Sequence, residues 1–369
     1  SSRKAMFDNT LRLTRSRGAR PPAARLSLSN PTTCRYAFRE QALEASTVGR
    51  GVWEHRHVPP LTSRPHRRAA EDGRAMTGTI TILPDPPPPP TPIGLIAGGG
   101  RLPLMVAEGL RRMGHPVHGL GLLNQYDKAL PALCSTFRTV GVLKVGAWGP
   151  LLKRRGVEHA IMVGLVDKAR FMYNPWVILR NLPDWRTAKA WYHHLRHDRR
   201  SHAVLAAIAE ELGRAGVHLI DSTAPIPDSL AQAGVMTRRH PTAEQRGDIA
   251  FAWPLLNQTL KLDIGQAIAV RGRDIIAVEA VEGTDRMIER AGQLCKQTGW
   301  TLCKGARAGH DRRSDVPTIG VKTIENLHRN GGRCLALAAG DVIMVDKAEV
   351  LELADRLGIA IIGVPAAQG

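Results

Sequence analysis

The apolar run Ile93-Gly94-Leu95-Ile96-Ala97, followed at once by Gly98-Gly99-Gly100 and a helix-patterned stretch, constrains the fold more than any other feature. A run this short and apolar at every position is of buried-strand type, and the glycines give the turn that leads into a helix. Val106, Leu110 and Met113 then recur at helical spacing, and Gly114 is placed to stop the helix. Strand-like runs return at Val117–Gly121, Ala160–Gly164 and Val217–Ile220, with helix patterns over Trp148–Arg155 and Ala203–Leu212. Such alternation predicts a parallel, doubly wound sheet.

Beyond residue 222 the pattern loosens, and Pro225, Pro227 and Pro241 mark a connection expected to run to about residue 262. The second unit is placed from this stretch onward. Ala267–Val270 and Ile275–Ala280 flank Arg271-Gly272-Arg273-Asp274, while Leu335–Ala338 and Val342–Val345 flank Ala339-Gly340-Asp341, so both read as hairpins. Thr284 or Asp285 can cap a helix running to about Gln297, and Asp346 with Glu349 forms a D-x-x-E capping box for a helix ending at Gly358. The second unit is therefore expected to be mixed α/β with antiparallel pairs.

Residues 1–75 carry 15 Lys/Arg against 6 Asp/Glu, half of the chain's net charge of +18. With no sustained period and breaks at Pro21-Pro22 and Pro59-Pro60, the segment is expected to be disordered. A nucleic-acid arm and an organelle transit peptide fit its composition. The missing initial Met and the position of Met76 favour a third reading, upstream sequence translated ahead of the true start. The run Pro86–Pro90 is expected to extend as polyproline II and to separate this extension from the first domain. The boundaries read from the chain are an extension over 1–91, a first domain over 92–224 and a second over 225–369. Five cysteines form no C-x-x-C pair and no zinc-ligand cluster, which fits a reduced, cytoplasmic compartment. No window reaches the roughly 18 apolar residues of a membrane-spanning helix.

Four stretches could carry chemistry. The triple glycine lets backbone approach a ligand and could turn amides toward an anion at the next helix, although strand-to-helix turns use glycine for geometry alone. The stretch from Lys304 through Gly305, Ala306 and Arg307 to His310-Asp311-Arg312-Arg313-Ser314-Asp315-Val316-Pro317 alternates cations and carboxylates. It suits a pyrophosphate, with Lys and Arg neutralising phosphoryl oxygens and a carboxylate binding a divalent ion or orienting water; a solvated loop whose charges pair would look the same. Asp263-Ile264-Gly265-Gln266, Glu279 and Glu282-Gly283-Thr284-Asp285 put polar groups at strand ends, with Thr284 and Asp285 open to a plain capping role. Trp176, Trp185, Trp191 and Tyr192 among Arg180, Arg186, Lys189 and Arg196 fit core packing, an acyl-chain or membrane-surface contact, or a base-stacking platform.

Taken together, Gly94-Leu95-Ile96-Ala97-Gly98-Gly99-Gly100-Arg101-Leu102-Pro103, Asp263-Ile264-Gly265-Gln266, Glu279-Ala280-Val281-Glu282-Gly283-Thr284-Asp285 and Asp315-Val316-Pro317-Thr318-Ile319-Gly320 resemble the UDP-2,3-diacylglucosamine pyrophosphatase family of lipid A biosynthesis. The resemblance covers residues 93–364. It implies an α/β protein with an N-terminal Rossmann-like parallel-sheet domain and a mixed α/β C-terminal catalytic domain. The implied reaction is Mg²⁺-dependent hydrolysis of UDP-2,3-diacylglucosamine to UMP and 2,3-diacylglucosamine 1-phosphate. By the same resemblance Asp315 is the catalytic residue, as metal ligand or as the group that activates water, and Lys304 lies near the phosphates. Gly99, Gly100 and Leu102 match the nucleotide-sugar loop, and Gln266, Thr284 and Asp285 match polar positions facing the cleft. Gly164 and Asp198 fall in motifs where this chain departs from the family, with Gly164-Leu165 and Arg196-His197-Asp198-Arg199, and His310 is a third departure; all three bear on substrate recognition. A homodimer and peripheral contact with the inner membrane are further implications, and the resemblance does not give the metal's ligand set. Two other readings stand beside it. One is a hydrolase of a different nucleotide-linked substrate, told apart by comparing UDP-sugars with and without acyl chains. The other is a basic nucleic-acid-binding protein, which predicts strongly salt-dependent binding.

Overall fold

The computed structural model describes residues 86–166, 201–307, 311–313 and 316–365. Five strands form the first sheet: β1 (Ile93–Ala97), β2 (Val117–Leu122), β3 (Thr136–Val140), β4 (His159–Val163) and β5 (His218–Leu219). Their order is β3-β2-β1-β4-β5, and every pairing is parallel. The alternation read from the sequence thus gives the doubly wound sheet expected. Helix α1 (Leu102–Arg112) covers one face, where Leu104, Val106 and Leu110 pack on Leu95, Ala97 and Ile161. Each of the buried Leu, Val and Ile side chains contributes about 1.5–3 kcal/mol relative to exposure. Helices α2 (Val145–Lys153) and α3 (Ser201–Arg214) cover the other face, with Trp148, Leu152 and Leu212 against Ile96, Leu120 and Ala160. Helix α1 stops one residue short of Met113, which is 38% exposed and so leaves the buried stripe expected of it.

The second sheet has the order β6-β13-β11-β9-β7-β8. Its strands are β6 (Gly234–Val235), β7 (Ala267–Arg271), β8 (Asp274–Val278), β9 (Trp300–Lys304), β11 (Gly332–Ala338) and β13 (Ala360–Val364). The central β9, β11 and β13 run parallel, while β7, β8 and β6 add antiparallel pairs, so the sheet is mixed as anticipated. Helices α5 (Thr284–Leu294), α6 (Val321–Arg329) and α7 (Lys347–Leu357) cover one face through Ile288, Leu327 and Val350. The other face packs on α4 (Ala243–Lys261) through Ala252 and Leu256.

Four local expectations are corrected. The supposed connection over 222–262 contains the 19-residue α4, started by a capping box in which Thr242 Oγ1 accepts from Gln245 N–H and Gln245 Oε1 accepts from Thr242 N–H. Leu335–Ala338 and Val342–Val345 do not form a hairpin. β11 is flanked by β9 and β13, while β12 (Ile343–Met344) pairs in parallel with β10 (Thr318–Ile319). A strand buried on both faces takes parallel neighbours on each side, which leaves no edge for a hairpin partner. Asp346 occupies the N-cap position of α7 without accepting a capping hydrogen bond, at φ +51. The proline run closes into a turn at its end, where Thr91 N–H and Oγ1–H both donate to Pro88 O. The expected disorder of residues 1–75 and the aromatic stretch Trp176–Arg196 fall outside the described residues.

Candidate active site

The polar residues singled out in the second unit converge on one edge of its sheet. Gln266 immediately precedes β7, Glu279 immediately follows β8, and Lys304 ends β9. Because β7 runs against both neighbours, its start lies beside their carboxyl ends, the edge at which open α/β sheets bind ligands. Backbone bonds fix the junction: Glu279 N–H donates to Ala267 O and Gly305 N–H donates to Gln266 O.

Lys304 is 3% exposed, and its ammonium donates to Thr284 Oγ1 across 2.7 Å. The Thr284 hydroxyl donates in turn to Glu279 Oε1 across 3.1 Å, and Lys304 Nζ lies 3.9 Å from Glu279 Oε2. A lysine buried to this degree needs opposite charge and hydrogen bonds to remain ionised, and Glu279, 7% exposed, provides the charge. Glu279 Oε2 itself is buried with no hydrogen-bond partner. Thr284 is therefore a bridge between two buried charges and not a helix cap; the N-cap position of α5 is Gly283, at φ +82. Asp285 stands apart from this group. It is exposed in the first turn of α5, where negative charge favours the helix dipole, and its backbone carbonyl accepts from Asn326 Nδ2.

Sequence groups Glu279 with this cluster without giving it a role. Its signal is position alone, a carboxylate directly after a half-buried strand. Leu262, Ile264 and Val281, at 69%, 47% and 104% exposure, add uncovered apolar surface on the two loops that meet where Gly265 packs on the Glu279 carbonyl.

The loop after β9 is anchored at both sheets. Arg312 O accepts from Ser222 N–H and from Ser222 Oγ. Its guanidinium lies 3.7 Å from Asp221 Oδ2 and 3.6 Å from Asp341 Oδ1 and donates to Gly340 O. Arg313 pairs with Asp311 through both carboxylate oxygens, which holds the guanidinium pKa above its ordinary value. Part of the charge alternation is thus internal pairing, as in a solvated loop. Val316, on the far side of Asp315, packs against the core cluster of the first sheet. Asp315, His310 and Asp198 lie outside the described residues.

At the carboxyl edge of the first sheet, the glycine loop meets the end of β4. Gly98 N–H donates to Val163 O and Gly99 N–H to Leu165 O, while Leu165 N–H returns a bond to Gly99 O. These two amides are therefore spent on backbone, the geometric role that the sequence left open beside anion contact. A Cβ on Gly98 would lie 2.6 Å from Leu165 O, and one on Gly164, at φ +104, would meet Gly98 backbone within 2.9 Å, so close packing requires both glycines. Gly100, exposed at φ +90, and Leu102, the first residue of α1, lie beyond this contact.

Two family profiles match the chain, described as the LpxI N-terminal domain over residues 92–229 and the LpxI C-terminal domain over residues 232–362. The UDP-2,3-diacylglucosamine pyrophosphatase LpxI of Caulobacter vibrioides is 28% identical over 280 residues, covering 74% of this chain and 97% of that protein. A solved UDP-glucose-4-epimerase from Stenotrophomonas maltophila aligns with 33% of this chain and 34% of its own at 13% identity and a TM-score of 0.20, too slight a likeness to carry an argument. With both profiles matched in order across most of its length, the chain belongs to the LpxI family.

Proposed function

We propose that this chain hydrolyses the pyrophosphate bond of UDP-2,3-diacylglucosamine, releasing UMP and 2,3-diacylglucosamine 1-phosphate for lipid A biosynthesis. The observation that carries the reading is Lys304, a buried ammonium held by Thr284 and Glu279 at the strand ends from which the loop bearing Asp315 departs. A fixed cation at low dielectric offsets charge developing on phosphoryl oxygens far better than one in water. In the reaction the oxygen of water bonds to one phosphorus, the bridging P–O bond breaks, and the leaving phosphate takes its electron pair. Asp315 is the carboxylate we assign to accepting the water's proton or to binding the metal. Gln266, Thr284 and Asp285 serve the cleft side of the substrate, and Gly99, Gly100, Leu102, Gly164 and Asp198 serve its nucleotide-sugar part.

Among the described residues no three His, Cys, Asp or Glu side chains converge as a metal cage. Magnesium needs none where substrate phosphates and water complete its shell around one or two carboxylates, and the hard oxygen donors at this edge fit that manner of binding. In the metal-binding alternative Asp315 would hold the ion, which supplies Lewis-acid polarisation of phosphoryl oxygens when bound. The uncovered Leu262, Ile264 and Val281 favour an acylated substrate over another nucleotide-linked one. Cytoplasmic location, a homodimer and peripheral contact with the inner membrane belong to the same reading, and among the described residues no helix is long and apolar enough to cross a membrane.

Comparing UDP-2,3-diacylglucosamine with UDP-N-acetylglucosamine, which carries no long acyl chain, tests this. The reading expects UMP only from the first, with Val281→Asp lowering turnover of the acylated substrate. Equal turnover of both would move the assignment to a general nucleotide-sugar hydrolase.

A further inference from the structure

The first sheet carries a cavity of about 300 Å³ at the edge opposite its glycine loop. His118 and Thr136 lie at the amino ends of β2 and β3, and Arg154 and Arg155 follow the last turn of α2, which returns to that same edge. Arg138, on the edge strand β3, completes a rim of three arginines. No carboxylate lines the cavity, and among the described residues none of the three arginines forms an ion pair with a carboxylate, whereas their neighbour Lys153 is paired with Glu158 at 2.7 Å. The dipole of α2 accounts for positive charge after its last turn, but not for Arg138 on a strand.

Beneath the rim the lining is apolar. Leu120 and Leu152 are buried and Leu151 is half-buried, so the cavity has a greasy floor under a cationic mouth. The His118 ring is fixed by a 2.7 Å hydrogen bond between Nδ1 and Thr136 Oγ1. Burial, and after it the charge of Arg155, hold the His118 pKa below its ordinary value.

We propose that this cavity is a second anion site, separate from the Lys304 cluster, and that it takes a soluble phosphate monoester with a small apolar or aromatic body. Arginine forks match phosphate oxygens bidentately, and the volume exceeds what bare phosphate needs, leaving the leucine floor for the ester's organic part. A lipid headgroup offers the same phosphate, but a bilayer-docking surface exposes its apolar residues outside its cations. Here the apolar residues sit under the arginines.

The test is calorimetric titration of the full chain with phenyl phosphate. An Arg138→Ala/Arg155→Ala variant should bind it roughly a hundredfold more weakly or worse with an unchanged melting temperature, since each of the two charged hydrogen bonds lost is worth more than about a factor of ten. Arg138→Lys/Arg155→Lys should recover part of the affinity, which a packing role would not predict. Lys304→Met should leave this binding in place. Unchanged affinity in the alanine variant overturns the proposal. So does binding that depends on Lys304 alone, or arginine-dependent binding to phosphatidylglycerol vesicles without binding of phenyl phosphate.

Discussion

Arg101 Nε donates to Asp346 Oδ1 across 3.2 Å, joining the start of α1 on the first sheet to the start of α7 on the second. The same bond, its largest cause, raises the Arg101 pKa above the ordinary value. Both side chains are more than a third exposed, at 45% and 35%, so water and salt screen the pair.

Asp346 also carries a backbone at φ +51, a region that Asp tolerates better than Ala does. Asp346→Ala should therefore destabilise by about 1–2 kcal/mol, from lost pairing and added backbone strain. Asp346→Gly, which loses only the pairing, should cost clearly less. Thermal melting of the two variants checks this; equal losses would deny the backbone contribution.

The Lys304, Thr284 and Glu279 set makes a sharper prediction. Removing the hydroxyl by Thr284→Val takes an acceptor from a buried ammonium and should cost about 1–3 kcal/mol, while Thr284→Ser should cost less. Lys304→Met leaves Glu279 buried without its cation and should cost about 3–5 kcal/mol. Adding Glu279→Leu to Lys304→Met should then recover much of that loss. Denaturant unfolding of the single and double variants measures the coupling, and purely additive losses would show that the charges act independently.

Burial pushes the Cys334 thiol up to about 12 and the Cys134 thiol up to about 11, and it moves Cys303 further in the same direction. A thiolate thus forms at the ordinary value of 9.0 only in the unfolded chain. Stability from these groups is fully present below that value and is lost as pH rises from about 9 toward 12. Folded protein at pH 8 should leave Cys303 and Cys334 unlabelled by a thiol reagent, with labelling appearing on unfolding; rapid labelling of either in the folded chain would contradict their burial.

The parts of this architecture that are legible in the sequence have local causes. The β7–β8 hairpin is marked by Gly272 and Arg273, whose φ values of +59 and +60 give the turn that suits strand twist. The helix stop at Gly114 and the end of α7 at Gly358 likewise follow from left-handed glycines. The features that escape it depend on contacts distant in sequence. Helix α4 tolerates Pro254 and shows little amphipathic contrast, and its only clear local sign is the Thr242–Gln245 capping pair. Strand β3 is an edge strand with Arg138 and Thr139 exposed, so its pattern does not resemble the buried strands beside it. Within the candidate site, Lys304 and Thr284 are found by motif, but their shared dependence on Glu279 appears only when β8, α5 and β9 come together. Asp346 reads as a capping residue because D-x-x-E is a local pattern, whereas its partner Arg101 is 245 positions away.

The central claim is tested most directly by UMP release from UDP-2,3-diacylglucosamine in the presence of Mg²⁺, comparing the chain with its Asp315→Ala variant. The account predicts release by the first and near-complete loss in a variant that melts at the same temperature. Release that persists unchanged in Asp315→Ala, or no release from either protein, would contradict it.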